Sequence, residues 1–308
     1  MSRATPDVVV PLETISEEVP EIGLVSDLLT LTKARLSLLV VITTFVGFCM
    51  ASGTPLDWLR LFHATAGTAL AAAAAAVLNQ LMEAHVDRLM ERTRHRPLPA
   101  GRMRPAAAFI LGSALGVGGV GWLWLTTNAV SALLAAATVL IYLLLYTPLK
   151  RRTALCTLVG AVSGAIPPVI GWTAAQGIEP RWGLGAWVLF GVLFTWQMPH
   201  FLAIAWMYRD EYAQAGFVML KRDDTTGSAT AVISLLFTLA LAVITIIPVW
   251  SGMNTGLYLP IALAADAALL VLAWQFLLDR TRMTARRLFF GSIAFLPLVL
   301  AAMVFTKT

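Results

Sequence analysis

Apolar residues run through this chain in long blocks rather than in narrow stripes. Nine blocks stand out, at about 36–53, 61–82, 105–127, 129–147, 155–175, 184–207, 230–250, 257–278 and 287–305. Each is long enough, as a helix, to cross about 30 Å of hydrocarbon. The pattern predicts an all-α polytopic membrane protein with a single domain over residues 28–308, a nine-transmembrane-helix bundle. Polar residues interrupt it most heavily at 83–104 and 208–229, in loops after helices 2 and 6. The first 27 residues differ, with six acids, one arginine and no apolar centre. They lack the marks of a signal or transit peptide, and residues 1–27 read as a disordered tail.

Charge adds an orientation. With the tail inside, 19 of the 22 Lys and Arg residues fall on its side, and Arg60, Arg181 and Lys307 fall opposite. That bias places the N-terminus and both polar loops in the cytoplasm. The expected location is a bacterial cytoplasmic (inner) membrane, with lipid as the surrounding partner. Charged residues make up 13% of the 308, against about 25% in a soluble domain. The net charge of +5 is therefore a topology signal, and no nucleic-acid partner is expected. Cys49 and Cys156 lie in separate blocks and suggest packing, not a disulfide. Gly112 with Gly116, and Gly160 with Gly164, suit close helix packing in lipid. Pro167 and Pro168 should kink or break the fifth span.

Chemistry concentrates in "NQLMEAHVDRLMERTRHRPLPAGR", residues 79–102. Asn79, Glu83 and Asp87 are spaced by four, so a helix carries them on one face. Like charges four apart repel, and the pair asks for a cation. Hard oxygen ligands suit Mg²⁺, which takes one or two carboxylates together with substrate phosphates. Arg88, Arg92, Arg94 and Arg96 follow at once, and guanidinium forks suit phosphate oxygens. A solvated helix end with topology charges is the plainer alternative, but it gives no reason for the polar stripe. The second loop contributes Asp210 and Glu211, which could complete a metal–diphosphate cage with Glu83 and Asp87. Asp223 and Asp224 read as solvated acids, and Lys150 as either a phosphate contact or a topology charge. His200 reads equally as a helix-end histidine or a substrate contact. Asp266, deep in the eighth span, reads as a protonated or hydrogen-bonded structural acid.

The stripe, continued through Met90, Arg92, Thr93, Arg96, Pro97, Leu98 and Pro99, resembles the first signature of UbiA-type intramembrane prenyltransferases. "LTKARLSLLVV", "YTPLKRRT", "GAVSGAIPPVIGW", "WQMPHF", "DEYAQAG" and "RRLFFGSIAFLPLV" resemble segments of its protohaem IX farnesyltransferase (haem O synthase) branch, in order, across about residues 28–305. Glu83 and Glu211 stand where that branch usually has aspartate, and the stretch near Val218 lacks its proline. The resemblance implies that farnesyl diphosphate binds through Mg²⁺ to Glu83, Asp87, Asp210 and Glu211. Asn79, Glu83, Asp87 and Glu211 would be the catalytic set, and Arg88, Arg92, Arg96 and Lys150 would bind the diphosphate. Haem B would be the acceptor substrate, held by His200 and Trp196, and haem O the product. A downstream haem-modifying enzyme or an oxidase assembly factor would be its partner. An aromatic quinone precursor is the alternative acceptor, but many such relatives carry a second acid where this chain has Gln80. An ion-coupled transporter using Glu83, Asp87 and Asp266 is the rival from another class. It fits less well, because most acids here cluster at one surface rather than near the midplane.

Overall fold

The computed structural model describes residues 23–178, 183–221 and 223–308. The acidic stretch 1–22, with Arg3, lies outside the described residues, as do Arg181 and Arg222. The chain forms α1 (Leu24–Leu31), α2 (Ala34–Ala51), α3 (Trp58–Asp87), α4 (Pro105–Thr126) and α5 (Ala129–Leu140). A π-helical segment, Ile141–Tyr146, leads into α6 (Thr147–Leu149). Then come α7 (Cys156–Ala165), α8 (Pro167–Ala175), α9 (Leu184–Met207), α10 (Arg209–Gln214), α11 (Ser228–Trp250), α12 (Tyr258–Leu278) and α13 (Arg282–Phe305). Among the described residues, nine helical spans are long and apolar enough to cross a membrane, one for each hydrophobic block.

Polar residues at block edges act as caps or as continuations of the helices. Asp57, Asn128 and Thr281 each accept a hydrogen bond from a backbone N–H three residues on, satisfying an orphan donor of α3, α5 and α13. At its other end α3 runs past its apolar block to Asp87, so the whole Asn79–Asp87 stripe stays helical. The fifth span divides at Ile166, as the two prolines require.

One expectation is corrected. Residues 24–27, assigned to the tail, belong to helix α1, and Asp27 is buried. Arg102 forks onto that carboxylate at 2.8 and 3.0 Å. Gln80, inside α3, donates to the carbonyls of Thr30 and Leu31, each at 2.8 Å. An acid at position 80 could not make those two donations when ionised.

Glycines set the tightest contact. A Cβ on Gly171 of α8 would lie 1.9 Å from the Thr44 carbonyl oxygen, and one on Gly47 of α2 equally close to that of Pro168. Only hydrogen fits at either position, so the backbones of α2 and α8 meet directly. Around α9 the largest apolar cluster gathers Leu189, Leu193, Trp196, Tyr258, Phe276 and Phe295. Asp266 within it accepts a hydrogen bond from Thr245 at 2.6 Å, tying α12 to α11 as a structural acid would. At the end opposite the polar loops, Lys307 donates to the carbonyls of Cys49 (2.8 Å) and Ser52, tying the first span to the last.

Candidate active site

The stripe on α3 is buried and each member has a partner. Asn79, Glu83 and Asp87 are 0%, 7% and 2% exposed. Asn79 accepts from the Lys33 ammonium at 2.7 Å and donates to the Thr147 hydroxyl at 3.1 Å, which in turn donates to the Tyr142 carbonyl. Glu83 pairs with Lys150 at 3.0 Å, and Asp87 with Arg96 at 2.7 Å. The repulsion expected between the two carboxylates is thus offset by one cation apiece. Lys150 also lies over the Tyr146 ring at 4.6 Å, and Gly160 packs where any side chain would strike that ring. Burial works against the Lys150 charge, but Tyr146, Glu83 and Tyr142 outweigh it and hold its pKa above the ordinary lysine value.

Loop 88–104 is wired back onto α3. Thr93 donates to the Asp87 carbonyl at 2.9 Å, closing the helix end, and Arg88 donates to the Pro99 carbonyl at 3.0 Å. That contact turns Arg88 to its own loop rather than to the stripe. Arg92 lies 5.9 Å from the Tyr208 ring, over the second polar loop. Tyr212 and Phe217 of that loop pack with Val86 and Met90, on either side of Asp87 in sequence. The Val218 N–H reaches the Lys150 carbonyl at 2.6 Å. The two polar loops therefore meet over the stripe.

The expected acids of the second loop separate. Glu211, beside Tyr212, has a buried Oε1 without a hydrogen-bond partner. Asp210 is not brought in: its side chain is 84% exposed and its nearest cation is the neighbouring Arg209, at 3.7 Å. Among the described residues no three His, Cys, Asp or Glu side chains gather as a ready-made metal site. Two buried carboxylates and an orphaned carboxylate oxygen nevertheless fit a hard cation that draws its remaining ligands from phosphate and water.

Sequence reasoning missed Lys33 as a site residue. Its backbone is left-handed, with φ of 48°, a conformation that costs a residue with a Cβ roughly 1 kcal/mol. In the sequence it looked like another charge at a helix edge. The signal available was its place in "LTKARL", directly before a span that must start beside α3.

Deeper on α9, the His200 ring stacks on Trp196 with centroids 4.9 Å apart and meets Phe289 at the same distance. Ser292 of α13 fixes both: its hydroxyl meets His200 Nδ1 at 2.8 Å, and its carbonyl accepts from the Trp196 indole at 2.7 Å. His200 Nε2 makes no hydrogen bond among the described residues.

Comparison with known proteins identifies the family and the fold. The family model described as the UbiA prenyltransferase family matches residues 40–299. A relative from Opitutus terrae, named protoheme IX farnesyltransferase, is 43% identical over 92% of this chain and 95% of its own. A solved structure of a digeranylgeranylglyceryl phosphate synthase superimposes with a TM-score of 0.77 at 15% identity, over 92% of this chain and 98% of that one. A UbiA homologue from Archaeoglobus fulgidus, bound to GPP and Mg²⁺, gives a TM-score of 0.65 at 12% identity, over 90% and 99%. At those identities the structures establish a common fold, while the family match extends along most of the chain. On the family match and the 43% identity to the Opitutus relative, this chain belongs to the UbiA prenyltransferase family.

Proposed function

We propose that this chain transfers the farnesyl group of farnesyl diphosphate to a vinyl group of protohaem IX (haem B) with addition of water, giving haem O and diphosphate in haem A/O biosynthesis. The acceptor rests on one observation, the 43% identity along nearly the whole chain to a protein named protoheme IX farnesyltransferase. The geometry supports the donor half. Glu83, Asp87 and Glu211 would hold Mg²⁺, as the Archaeoglobus homologue binds it with a prenyl diphosphate. When bound, the ion neutralises diphosphate charge and makes diphosphate a better leaving group.

The chain's own residues do the rest. Lys33, Lys150 and Arg96 contact the stripe and Arg92 lies against Tyr208 of the facing loop. These four would supply donors for phosphate oxygens, arranged before the substrate arrives. The C–O bond of the donor breaks with its electron pair passing to diphosphate, and the apolar helices keep water from the allylic cation. The vinyl carbon then bonds to the farnesyl carbon, and water adds to the new cation and loses a proton. His200, its Nδ1 engaged by Ser292, presents Nε2 as a ligand for the haem iron, with Trp196 against the macrocycle. The proposed setting is the bacterial cytoplasmic membrane, with the N-terminus and the polar loops in the cytoplasm. A downstream haem-modifying enzyme or an oxidase assembly factor would receive the product.

The test is chromatography and mass spectrometry of haem extracted from membranes with and without the protein. Haem O should accumulate only with it. Unchanged haem alongside a prenylated quinone precursor would overturn the acceptor and keep the donor chemistry.

A further inference from the structure

A cleft of about 720 Å³ opens between the ends of α9 and α13, lined among others by Met207, Tyr208, Arg282, Arg286, Phe289 and Phe290. That volume is within the range of small-molecule sites, and none of the donor-site residues lines it. Its walls are aromatic and thioether side chains with Thr281, and its charges are two arginines. Arg282 lies 5.9 Å from the Tyr208 ring and Arg286 lies 5.5 Å from the Phe290 ring. Neither arginine is ion-paired among the described residues, whereas Arg96, Arg102 and Lys150 are each paired with a buried acid. The two stand four apart on α13, so one helical turn sets their guanidinium groups side by side.

We infer that this cleft is where the acceptor docks, with Arg282 and Arg286 taking two carboxylates carried by one flat, otherwise apolar molecule. The inference rests on the haem reading above and deepens it, because protohaem IX carries two propionates on one edge. Phe289 links the cleft to the interior, its ring 4.9 Å from that of His200. His200 lies seven residues before Met207 on α9, about two turns inward. A macrocycle whose carboxylates stay at the arginines therefore points its body toward the His200–Trp196 stack. Aromatic faces suit a porphyrin, and guanidinium forks bind carboxylates bidentately. Topology charges alone would not need this placement. Arg280 and Arg287 lie at the same end of the bundle and do not line the cleft.

The experiment is a titration of haem B, and of its dimethyl ester, into the detergent-solubilised full chain, followed by the Soret band. Wild type should bind haem B about tenfold more tightly than the ester. Arg282→Gln with Arg286→Gln should erase that preference by weakening haem B alone. Paired lysine substitutions should restore part of it, and Arg287→Gln should leave it unchanged. Binding of a non-reactive farnesyl diphosphate analogue should stay at the wild-type level in every variant, which also shows that each one folds. If wild type bound haem B and its ester equally, or if the double variant kept the preference, the cleft assignment would fall and the function would stand. If wild type bound neither, the haem reading itself would fall. Loss of co-purified phosphatidylglycerol with unchanged haem binding would make the cleft a lipid headgroup site and overturn the inference.

Discussion

The Lys150 ammonium sits 3.0 Å from the Glu83 carboxylate, joining the end of α6 to the middle of the polar stripe on α3. Both side chains are largely buried, at 14% and 8% exposure. Removing one partner strands the other in a low-dielectric setting, which costs about 3 kcal/mol. Lys150→Ala should therefore lower both stability and turnover. Adding Glu83→Gln should recover most of the stability and none of the activity. Denaturation in detergent, paired with product assays, separates the two effects; a double-variant loss of stability equal to the sum of the two single-variant losses would show that the pair is not coupled.

For the metal, Asp87→Ala should abolish turnover, and Glu83→Asp should keep a substantial part of it, because the second retains a carboxylate on the stripe. Excess chelator should stop the wild-type enzyme and added Mg²⁺ should restart it. Steady turnover in chelator would remove the metal from the proposal.

Lys33 permits a test that separates backbone from charge. Lys33→Gly relieves a left-handed residue, worth roughly 1 kcal/mol, while deleting the ammonium that meets Asn79. Loss of a partner for the buried Asn79 oxygen offsets the backbone gain, so stability should stay close to wild type while the KM for farnesyl diphosphate rises. An unchanged KM would reduce Lys33 to a helix-edge charge.

Gly171→Ala probes the fold away from the chemistry. The added methyl would fall 1.9 Å from the Thr44 carbonyl oxygen, and overpacking of this kind costs about 1–3 kcal/mol. The expected result is a lower Tm in detergent, with turnover per folded molecule near normal. An unchanged Tm would mean that α2 and α8 can part without penalty.

The nine spans were legible in the sequence because bilayer thickness imposes a block length that irregular loops do not share. The stripe was legible for a similar reason, since a spacing of four has one geometric meaning on a helix. Less could be said of which charges turn toward it. Arg88 and Arg96 look alike in the sequence, yet one holds the Pro99 carbonyl and the other Asp87. Asp210 and Glu211 are adjacent, and the turn of α10 leaves the first exposed and the second with a buried oxygen. The tail boundary erred because Asp27 counted as one more acid, whereas Arg102, 75 positions away, gives it a buried partner. Partners that distant have no local pattern to betray them.

Two of the cations proposed for the donor, Lys150 and Arg96, already balance a carboxylate each. A metal dication arriving with a diphosphate carries little net charge, so binding amounts to an exchange of partners. On the proposed reading, Lys150 and Arg96 would pass from carboxylate to phosphate, and Glu83 and Asp87 would hold the metal. Almost no charge crosses the membrane's electric field in that exchange. Donor affinity should then be nearly independent of membrane potential, in contrast to a transporter whose buried acids carry an ion across. Vesicles held at different potentials would separate the two classes by voltage dependence alone.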